Sequence, residues 1–221
     1  MRIALCGGTG DIGKGLALRW AKDTDHDLLV GSRNPEKARE AVEEYEDELD
    51  RHGIEASISG FANGMAADRA DIALLCVPAY HLVDTIESIA DRLEETILVS
   101  PAVGMQREEG GFQYNRPSAG SVTALAASAA PEDVPVIGAF HSLAAGKLAN
   151  LDTEIEADTL VVGDDEEAKG TVSDLAAGID GLRALDAGSI ANAAPVESLT
   201  PLLINLAQYN RDLSDVGVRF E

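Results

Sequence analysis

Short apolar runs alternate along the chain with longer segments of helical spacing, and this alternation predicts strands followed by helices. The runs typical of strands lie at residues 2–8, 27–32, 55–60, 71–78, 96–101, 134–142, 158–165 and 182–188. The helical segments lie at residues 12–22, 34–53, 79–93, 118–130, 166–179 and 196–210. Near-continuous apolar runs such as IALLCV suit strands that are buried on both faces of a sheet. We therefore expect an α/β fold of the Rossmann type, with a doubly wound parallel sheet.

The pattern changes slightly after about residue 150, where shorter strand-like and helical segments follow one another. We expect a Rossmann domain over residues 1–138 and a small C-terminal α+β unit over residues 139–221. A crevice between the two units is the expected place for a cofactor, because ligands of such sheets bind beyond the carboxyl ends of the strands.

A glycine-rich turn follows the first strand and opens the first helix. The stretch GTGDIG comprises Gly8, Thr9, Gly10, Asp11, Ile12 and Gly13, and it matches the dinucleotide fingerprint. In this interpretation Gly8 permits the tight turn, Gly10 lets the backbone approach a pyrophosphate, and Gly13 allows close packing of the helix on the strand. The free amides of the helix N-terminus would then bind phosphate.

The second strand ends in the stretch SRNPEK, where many dinucleotide folds carry an acid for the adenosine ribose. Here Ser32 offers a hydroxyl, Arg33 a planar guanidinium and Lys37 an ammonium group within the first turn of the next helix. Asn34 is a good N-cap and Pro35 fits the first helical position. The three polar groups predict a pocket for a 2′-phosphate, and hence NADP rather than NAD. The alternative is that Arg33 and Lys37 only pair with acids of the following helix.

Acidic residues dominate the charge of the chain, with 39 acids against 17 basic residues and a net charge of −22. They are spread through the sequence, which favours a solvated surface adapted to high salt over an acidic face for a basic partner. Such a surface argues against nucleic-acid binding. No apolar run is long enough for a membrane span. The two cysteines, Cys6 and Cys76, lie in apolar runs and indicate free thiols of a cytoplasmic protein.

Few side chains are candidates for proton transfer. His81 and His141 both fall at carboxyl ends of predicted strands, where each could contact a ligand or be structural. Lys147 and Asn150 in the stretch GKLAN have roughly the arrangement used by β-hydroxyacid dehydrogenases, although only residues 151–221 remain for the long helical domain of those enzymes. No catalytic triad, metal-binding cluster or convincing general base is visible.

Several stretches together resemble the archaeal NADPH-dependent reductases of coenzyme F420, an 8-hydroxy-5-deazaflavin. They are MRIALCGGTGDIGKGLALRWA, VGSRNPEKA, VVGDDEEAK, IDGLRALDAG and VESLTPLLINL. The resemblance covers essentially the whole chain, and the acidic composition suggests a version from a salt-loving archaeon. It implies an oxidoreductase that moves hydride between C4 of NADP(H) and C5 of the deazaflavin. Such chemistry needs little acid–base help, because the two cofactors carry it.

The resemblance also implies roles for individual residues. Thr9 to Ile12 would meet the pyrophosphate, and Ser32, Arg33 and Lys37 the 2′-phosphate. Val77, His81, Val103 and Ala145 would line the nicotinamide side. The deazaflavin would be bordered by His141, Ser142, Leu143, Thr200 and Val216. The stretches SLAAGKLAN and PAVGMQREEGGF depart from the family pattern, which weakens the assignments on the deazaflavin side.

Two other hypotheses stay open at this point. One is a β-hydroxyacid or imine reductase that uses Lys147 as an acid, and the other is a non-catalytic NADP-sensing module. The apolar last helix could pack internally or across a two-fold axis, and we expect a homodimer.

Overall fold

The computed structural model describes all residues from Met1 to Glu221. Its strands, in chain order, are β1 (Arg2–Cys6), β2 (Asp27–Ser32), β3 (Ile58–Ala62), β4 (Ile72–Leu75), β5 (Ile97–Ser100), β6 (Met105–Glu108), β7 (Gly111–Tyr114), β8 (Val136–Gly138), β9 (Ala157–Gly163) and β10 (Leu182–Asp186). Its α-helices are α1 (Asp11–Asp23), α2 (Pro35–Arg51), α3 (Asn63–Ala67), α4 (Leu82–Ile89), α5 (Val122–Ala129), α6 (Ala145–Ala149), α7 (Glu166–Ala177) and α8 (Ala193–Tyr209).

Eight strands form one sheet in the order β10-β9-β8-β5-β4-β1-β2-β3. The six neighbouring strands β8, β5, β4, β1, β2 and β3 pair in parallel, because helices connect them across the faces of the sheet. The chain reverses its direction of travel along the sheet between β1 and β4, which is the switch point where such folds bind ligands. The predicted Rossmann-type class is therefore confirmed.

The far end of the sheet departs from the expected parallel arrangement. Strand β9 runs antiparallel to β8, with Ile137 opposite Gly163, while β10 is parallel to β9. The connection over residues 139–156 contains only the short helix α6, so the chain does not cross back over a face of the sheet. Strands β6 and β7 form a separate antiparallel hairpin that the apolar pattern did not predict.

Apolar side chains fill both faces of the sheet. The larger cluster joins α1 and α2 to α7, and the indole N–H of Trp20 donates a hydrogen bond of 3.0 Å to the carbonyl of Leu175. The ring of Trp20 also meets Phe140 edge to face, with centroids 5.7 Å apart. The smaller cluster lies under α3, α4 and α5 on the opposite face. Residues after 138 thus share a core with residues before it, and the expected two-unit division stays a prediction.

Helix α8 packs one side on the β6–β7 hairpin and on α5, and leaves the other side open. Val196 and Leu203 are buried, whereas Leu202 is 53% exposed and Tyr209 is 64% exposed. No helix of the protein combines the length and apolar character needed to cross a membrane.

Candidate functional site

Two connected pockets lie at the carboxyl ends of β1 and β4. One is polar, with a volume of about 470 Å³, and the other is mostly apolar, with a volume of about 700 Å³. Both are lined by Gly10, Cys76, Val77 and Pro78, so the two spaces meet at the switch point of the sheet. The combined cleft has one end suited to charged groups and another suited to flat apolar groups.

The glycine turn owes its shape to a residue that the fingerprint did not include. Gly7 has a φ of +76°, and a side chain there would also lie 2.4 Å from Val77. Gly8 lies in the same turn, where its amide donates a hydrogen bond of 2.8 Å to the Leu5 carbonyl. A Cβ on Gly8 would lie 2.7 Å from that oxygen, so the tight turn needs glycine at both positions. The adjacent pair Gly7-Gly8 was the signal that could have located the turn.

The other two glycines of the motif differ in what surrounds them. A Cβ on Gly13 would lie 2.5 Å from the Cα of Gly8, so helix α1 can approach the turn only with glycine there. A Cβ on Gly10 would meet nothing closer than 3.8 Å. Gly10 faces the cleft and begins α1 without a side-chain cap, so the first amides of the helix have no capping acceptor. This arrangement fits a bound phosphate.

The side chains after β2 form a basic wall of the polar pocket. The Ser32 hydroxyl accepts a hydrogen bond of 3.2 Å from the amide of Asn34, and Asn34 in turn caps α2 through the amide of Glu36, as predicted. Arg33 and Lys37 both line the pocket, and neither forms an ion pair, whereas Arg39 pairs with Glu36 at 3.7 Å. The alternative in which both cations are neutralised by acids of α2 therefore does not hold in this structure.

Three further residues of the polar pocket lie on other elements. His81 lines this pocket with Arg33 rather than the apolar cleft with Val103 and Ala145, because the turn of residues 79–81 precedes α4 at the polar end. Its expected place beside the nicotinamide stays a prediction. Asn63 and Thr85 also line the pocket and were not predicted. The Asn63 side-chain oxygen accepts a hydrogen bond of 3.1 Å from the amide of Gly7 and so holds the turn.

The apolar cleft gathers most of the remaining predicted residues. They are Asp11, Ile12, Val77, Val103, Ser142, Leu143, Ala145, Thr200 and Val216. Sequence reasoning missed several neighbours, namely Ala102, Met105, Leu203, Ile204, Ala207 and Asp215. The spacing of Leu203, Ile204 and Ala207 on the last helix was the available signal for one face of α8. The only carboxylates on the cleft wall belong to Asp11 and Asp215.

His141 is the predicted residue that the structure keeps away from the cleft wall. Its ring is buried, its Nε2 lies 3.5 Å from the Thr123 hydroxyl, and its Nδ1 has no partner. Burial lowers the pKa of His141 to about 4, so the ring is neutral at physiological pH. Its carbonyl accepts a hydrogen bond of 2.8 Å from the hydroxyl of Thr200, which does line the cleft. His141 thus contacts the site through its backbone.

Lys147 lies in α6 but is not part of the cleft lining. The buried guanidinium of Arg19, on α1, holds this region by donating hydrogen bonds to carbonyls of the turn, including Lys147 at 2.9 Å and Leu148 at 2.8 Å. Because the Lys147 side chain does not border the cleft, the structure does not favour a reductase that uses it as an acid.

Comparison with known proteins agrees with this geometry. Residues 2–104 match the model of a family described as NADP oxidoreductase, coenzyme F420-dependent. An F420-dependent NADP reductase of Methanocaldococcus jannaschii is 40% identical over 208 residues, which cover 93% of this chain and 92% of the relative. An F420-dependent NADP reductase of Methanothermobacter thermautotrophicus is 36% identical, with 99% of this chain and 94% of the relative covered.

Solved structures are similar in fold. A crystal structure described as an F420-dependent NADP-reductase from Arthrobacter superposes with a TM-score of 0.82 at 21% identity, covering 100% of this chain and 99% of the other. A pyrroline-5-carboxylate reductase from Coxiella burnetii gives a TM-score of 0.57 at 16% identity, covering 83% of this chain and 58% of the other. At these identities the likeness establishes the architecture alone.

Proposed function

The chain belongs to the family of F420-dependent NADP reductases, and on that premise we propose that its cleft binds NADP(H) and coenzyme F420 together for direct hydride transfer. The observation that carries the proposal is the junction of a basic, polar pocket with a larger apolar cleft at Gly10 and Val77. When both are bound, hydride would pass between the nicotinamide and the deazaflavin ring. The family supports this pair of substrates. We assign the polar pocket to the adenosine and phosphate half of NADP(H), and the apolar cleft to the nicotinamide and the deazaflavin ring.

The polar pocket suits the adenosine and phosphate half of NADP(H). The first amides of α1 and the open space at Gly10 would hold the pyrophosphate. Ser32, Arg33 and Lys37 would hold the 2′-phosphate, since two unpaired cations and a hydroxyl face one space in a strongly acidic protein. A ribose without that phosphate would gain nothing from the two cations, so we propose a preference for NADP over NAD.

The apolar cleft suits two stacked rings. Its lining is dominated by aliphatic side chains such as Val77, Val103 and Leu143, which exclude water from the space between the rings. The chain's part in catalysis is to hold the two reacting carbons close together and correctly oriented. Burial raises the pKa of the Cys76 thiol on this wall, so Cys76 stays a neutral, apolar lining residue. No side chain of the cleft needs to act as a general base.

The earlier and later parts of the chain would bind different ligands. We propose that residues 1–138 bind NADP and that residues 139–221 close the deazaflavin side, because Ser142, Leu143, Thr200 and Val216 all reach the apolar cleft from the later part. The exposed apolar side of α8, with Leu202, is the surface we propose for a homodimer. Two buried free thiols support a reducing, cytoplasmic location.

The test of the function is a direct assay of hydride transfer. The purified protein is mixed in high salt with NADPH and oxidised coenzyme F420, and the loss of the coenzyme's visible absorbance is followed. We expect rapid bleaching with NADPH and little with NADH. If NADPH binds but no bleaching occurs, the proposed reaction is wrong although the pocket assignment stands.

The 2′-phosphate pocket has its own test in Arg33→Ala. A charge-assisted hydrogen bond contributes about 1.5–3 kcal/mol, so the KM for NADPH should rise by roughly 10- to 150-fold with little change in kcat. The slow reaction with NADH should be unaffected. The matched control is Arg39→Ala, which removes a cation of the following helix α2 that pairs with Glu36 instead of lining the pocket. An unchanged KM for NADPH in Arg33→Ala would refute the assignment.

A further inference from the structure

The last residues of the chain form a strap without helix or strand, which we call the C-terminal strap (residues 210–221). Strand β8 pairs with β9 only at Val162 and Gly163, which leaves the beginning of β9 open on that side. The strap reaches this position, where the carbonyl of Val218 accepts a hydrogen bond of 2.7 Å from the amide of Asp158. The strap therefore forms a backbone hydrogen bond with the beginning of β9, as a neighbouring strand would, without being a regular strand.

An ion pair between a buried carboxylate and a half-exposed guanidinium holds the end of the strap. The side chain of Asp158 is fully buried, and its two oxygens accept hydrogen bonds of 2.7 and 2.8 Å from Nε and Nη2 of Arg183. One of the same oxygens accepts a bond of 2.6 Å from the amide of Phe220, and Arg183 also donates to the Phe220 carbonyl. The guanidinium holds the pKa of the Asp158 carboxyl below its usual value, so the pair stays ionised at neutral pH. Both partners thus bind the strap as well as each other.

The other end of the strap forms part of the cleft. Asp215 and Val216 line the apolar space, and Asp215 has a left-handed backbone with a φ of +50°. Asp215 packs against α6, where a Cβ on Gly146 would lie 2.6 Å from its carboxylate oxygen. The strap therefore spans from the beginning of β9 to the wall of the apolar cleft.

Little apolar burial helps to fix the strap. Leu213 is 45% exposed and Phe220 is 47% exposed, so neither contributes much to docking through the hydrophobic effect. The remaining ion pair of the strap, between Arg219 and Glu156 at 3.9 Å, is on the surface and weak. The bonds to Asp158 and Arg183 are therefore the main attachment near the C-terminus.

We propose that Asp158 and Arg183 are positioning residues for the deazaflavin, which act by fixing the C-terminal strap as one wall of its binding space. They lie outside the cleft lining and touch no part of the nucleotide pocket. This inference rests on the proposed function, since it assumes that the apolar cleft takes the deazaflavin ring. It also gives a physical role to the arginine of the IDGLRALDAG stretch, which no cleft contact explains.

The experiment compares three variants of the full protein. Arg183→Met removes the guanidinium. A chain shortened by Phe220 and Glu221 removes the two bonds that the Phe220 backbone makes to the ion pair, while it leaves the pair itself intact. The matched control is Lys169→Met, which removes a cation of α7 that pairs with Asp186 on β10, the strand that also carries Arg183, and does not contact the strap. Dissociation constants for coenzyme F420 and for NADPH are measured separately by fluorescence. The rate of tryptic cleavage after Arg219 reports whether the strap is docked.

We expect both strap variants to bind the deazaflavin about tenfold more weakly. A small displacement of the strap would remove close contacts between its residues and the deazaflavin ring. Their affinity for NADPH should match that of the unaltered protein. Arg183→Met should also be cut faster after Arg219, and added deazaflavin should slow that cleavage in the unaltered protein. Lys169→Met should resemble the unaltered protein in every measurement.

Unchanged deazaflavin affinity in the strap variants would overturn the proposal, as would an equal loss for both ligands, which indicates general destabilisation. If Arg183→Met does not fold, the shortened chain decides alone. The proposed function has a separate test. It is refuted if NADPH does not bleach the deazaflavin in the presence of the unaltered protein.

Discussion

Replacement of Glu197 by glutamine tests how the buried carboxylate of α8 stabilises the fold. This helix lines the side of the cleft that we propose for the deazaflavin. The side chain is fully buried, and no cation lies beside it. One oxygen accepts hydrogen bonds of 2.9 Å from the amide and the hydroxyl of Thr123. The other accepts bonds of 2.9 Å from the amide of Val122 and 2.7 Å from the hydroxyl of Tyr114. Four donors therefore converge on one carboxylate from α5 and from the hairpin.

Glutamine cannot satisfy this set of donors. Each carboxylate oxygen faces one backbone amide, which can only donate, so the NH₂ group of glutamine meets an amide of Val122 or Thr123 in either orientation. The hydroxyls can reverse their roles, but the amide cannot. One buried amide then loses its partner, which costs about 1–3 kcal/mol. For a chain of this length the melting temperature should fall by roughly 2–4 °C for each kcal/mol.

Thermal unfolding followed by circular dichroism measures this change. The control is Glu43→Gln on the exposed side of α2, which should shift the free energy of unfolding by no more than about 0.5 kcal/mol. We also expect a higher KM for the deazaflavin, because Glu197 fixes the helix from which Thr200 and Leu203 line the cleft. If Glu197→Gln unfolds at the same temperature as the control, the four bonds do not stabilise the fold as argued.

Three other substitutions or conditions test different parts of the structure. Gly10→Ala should fold normally and lose NADPH binding, whereas Gly13→Ala should be destabilised even without ligand because its Cβ meets the backbone of Gly8; thermal unfolding and NADPH titration separate the two. The pKa of about 4 for His141 lies below that of an unfolded histidine, so the unfolded chain binds more protons and the free energy of unfolding falls by up to about 3 kcal/mol as pH drops from about 6.5 to 4. Urea unfolding of His141→Gln should lose this part of the pH dependence. With a net charge of −22, the protein should melt at higher temperature as potassium chloride is added, and a flat response would contradict adaptation to high salt.

The polar pocket was predictable because its residues are local in sequence. Glycine spacing after a strand, and the cap at Asn34 followed by Pro35, have fixed geometrical meanings, and the structure confirms the cap and the first helical position. The fingerprint did not indicate which residue of the turn has the left-handed backbone. That residue is Gly7, one position before Gly8, and only the fold shows it.

The remaining errors come from contacts between distant residues. The direction of β9 depends on whether residues 139–156 cross a face of the sheet, and their composition does not decide that. The hairpin of β6 and β7 is largely exposed, so it lacks the apolar alternation that marks a strand. Asn205 on α8 binds its backbone at Phe112, with bonds of 2.8 Å in both directions, and this long-range contact has no local signature.

The two halves of the cleft therefore differ in how far apart in the sequence the residues that form them lie. The nucleotide pocket is built mainly from two contiguous turns on a rigid parallel sheet. The side that we propose for the deazaflavin is assembled from α6, α8 and the C-terminal strap. Arg19 of α1 holds α6, Glu197 ties its own helix α8 to α5 and the hairpin, and the Asp158–Arg183 pair holds the strap. A substitution at one of these groups should change deazaflavin binding before it changes NADPH binding, although it touches neither ligand. In this proposal the binding of the second substrate depends on long-range polar contacts, which have no local signature in the sequence.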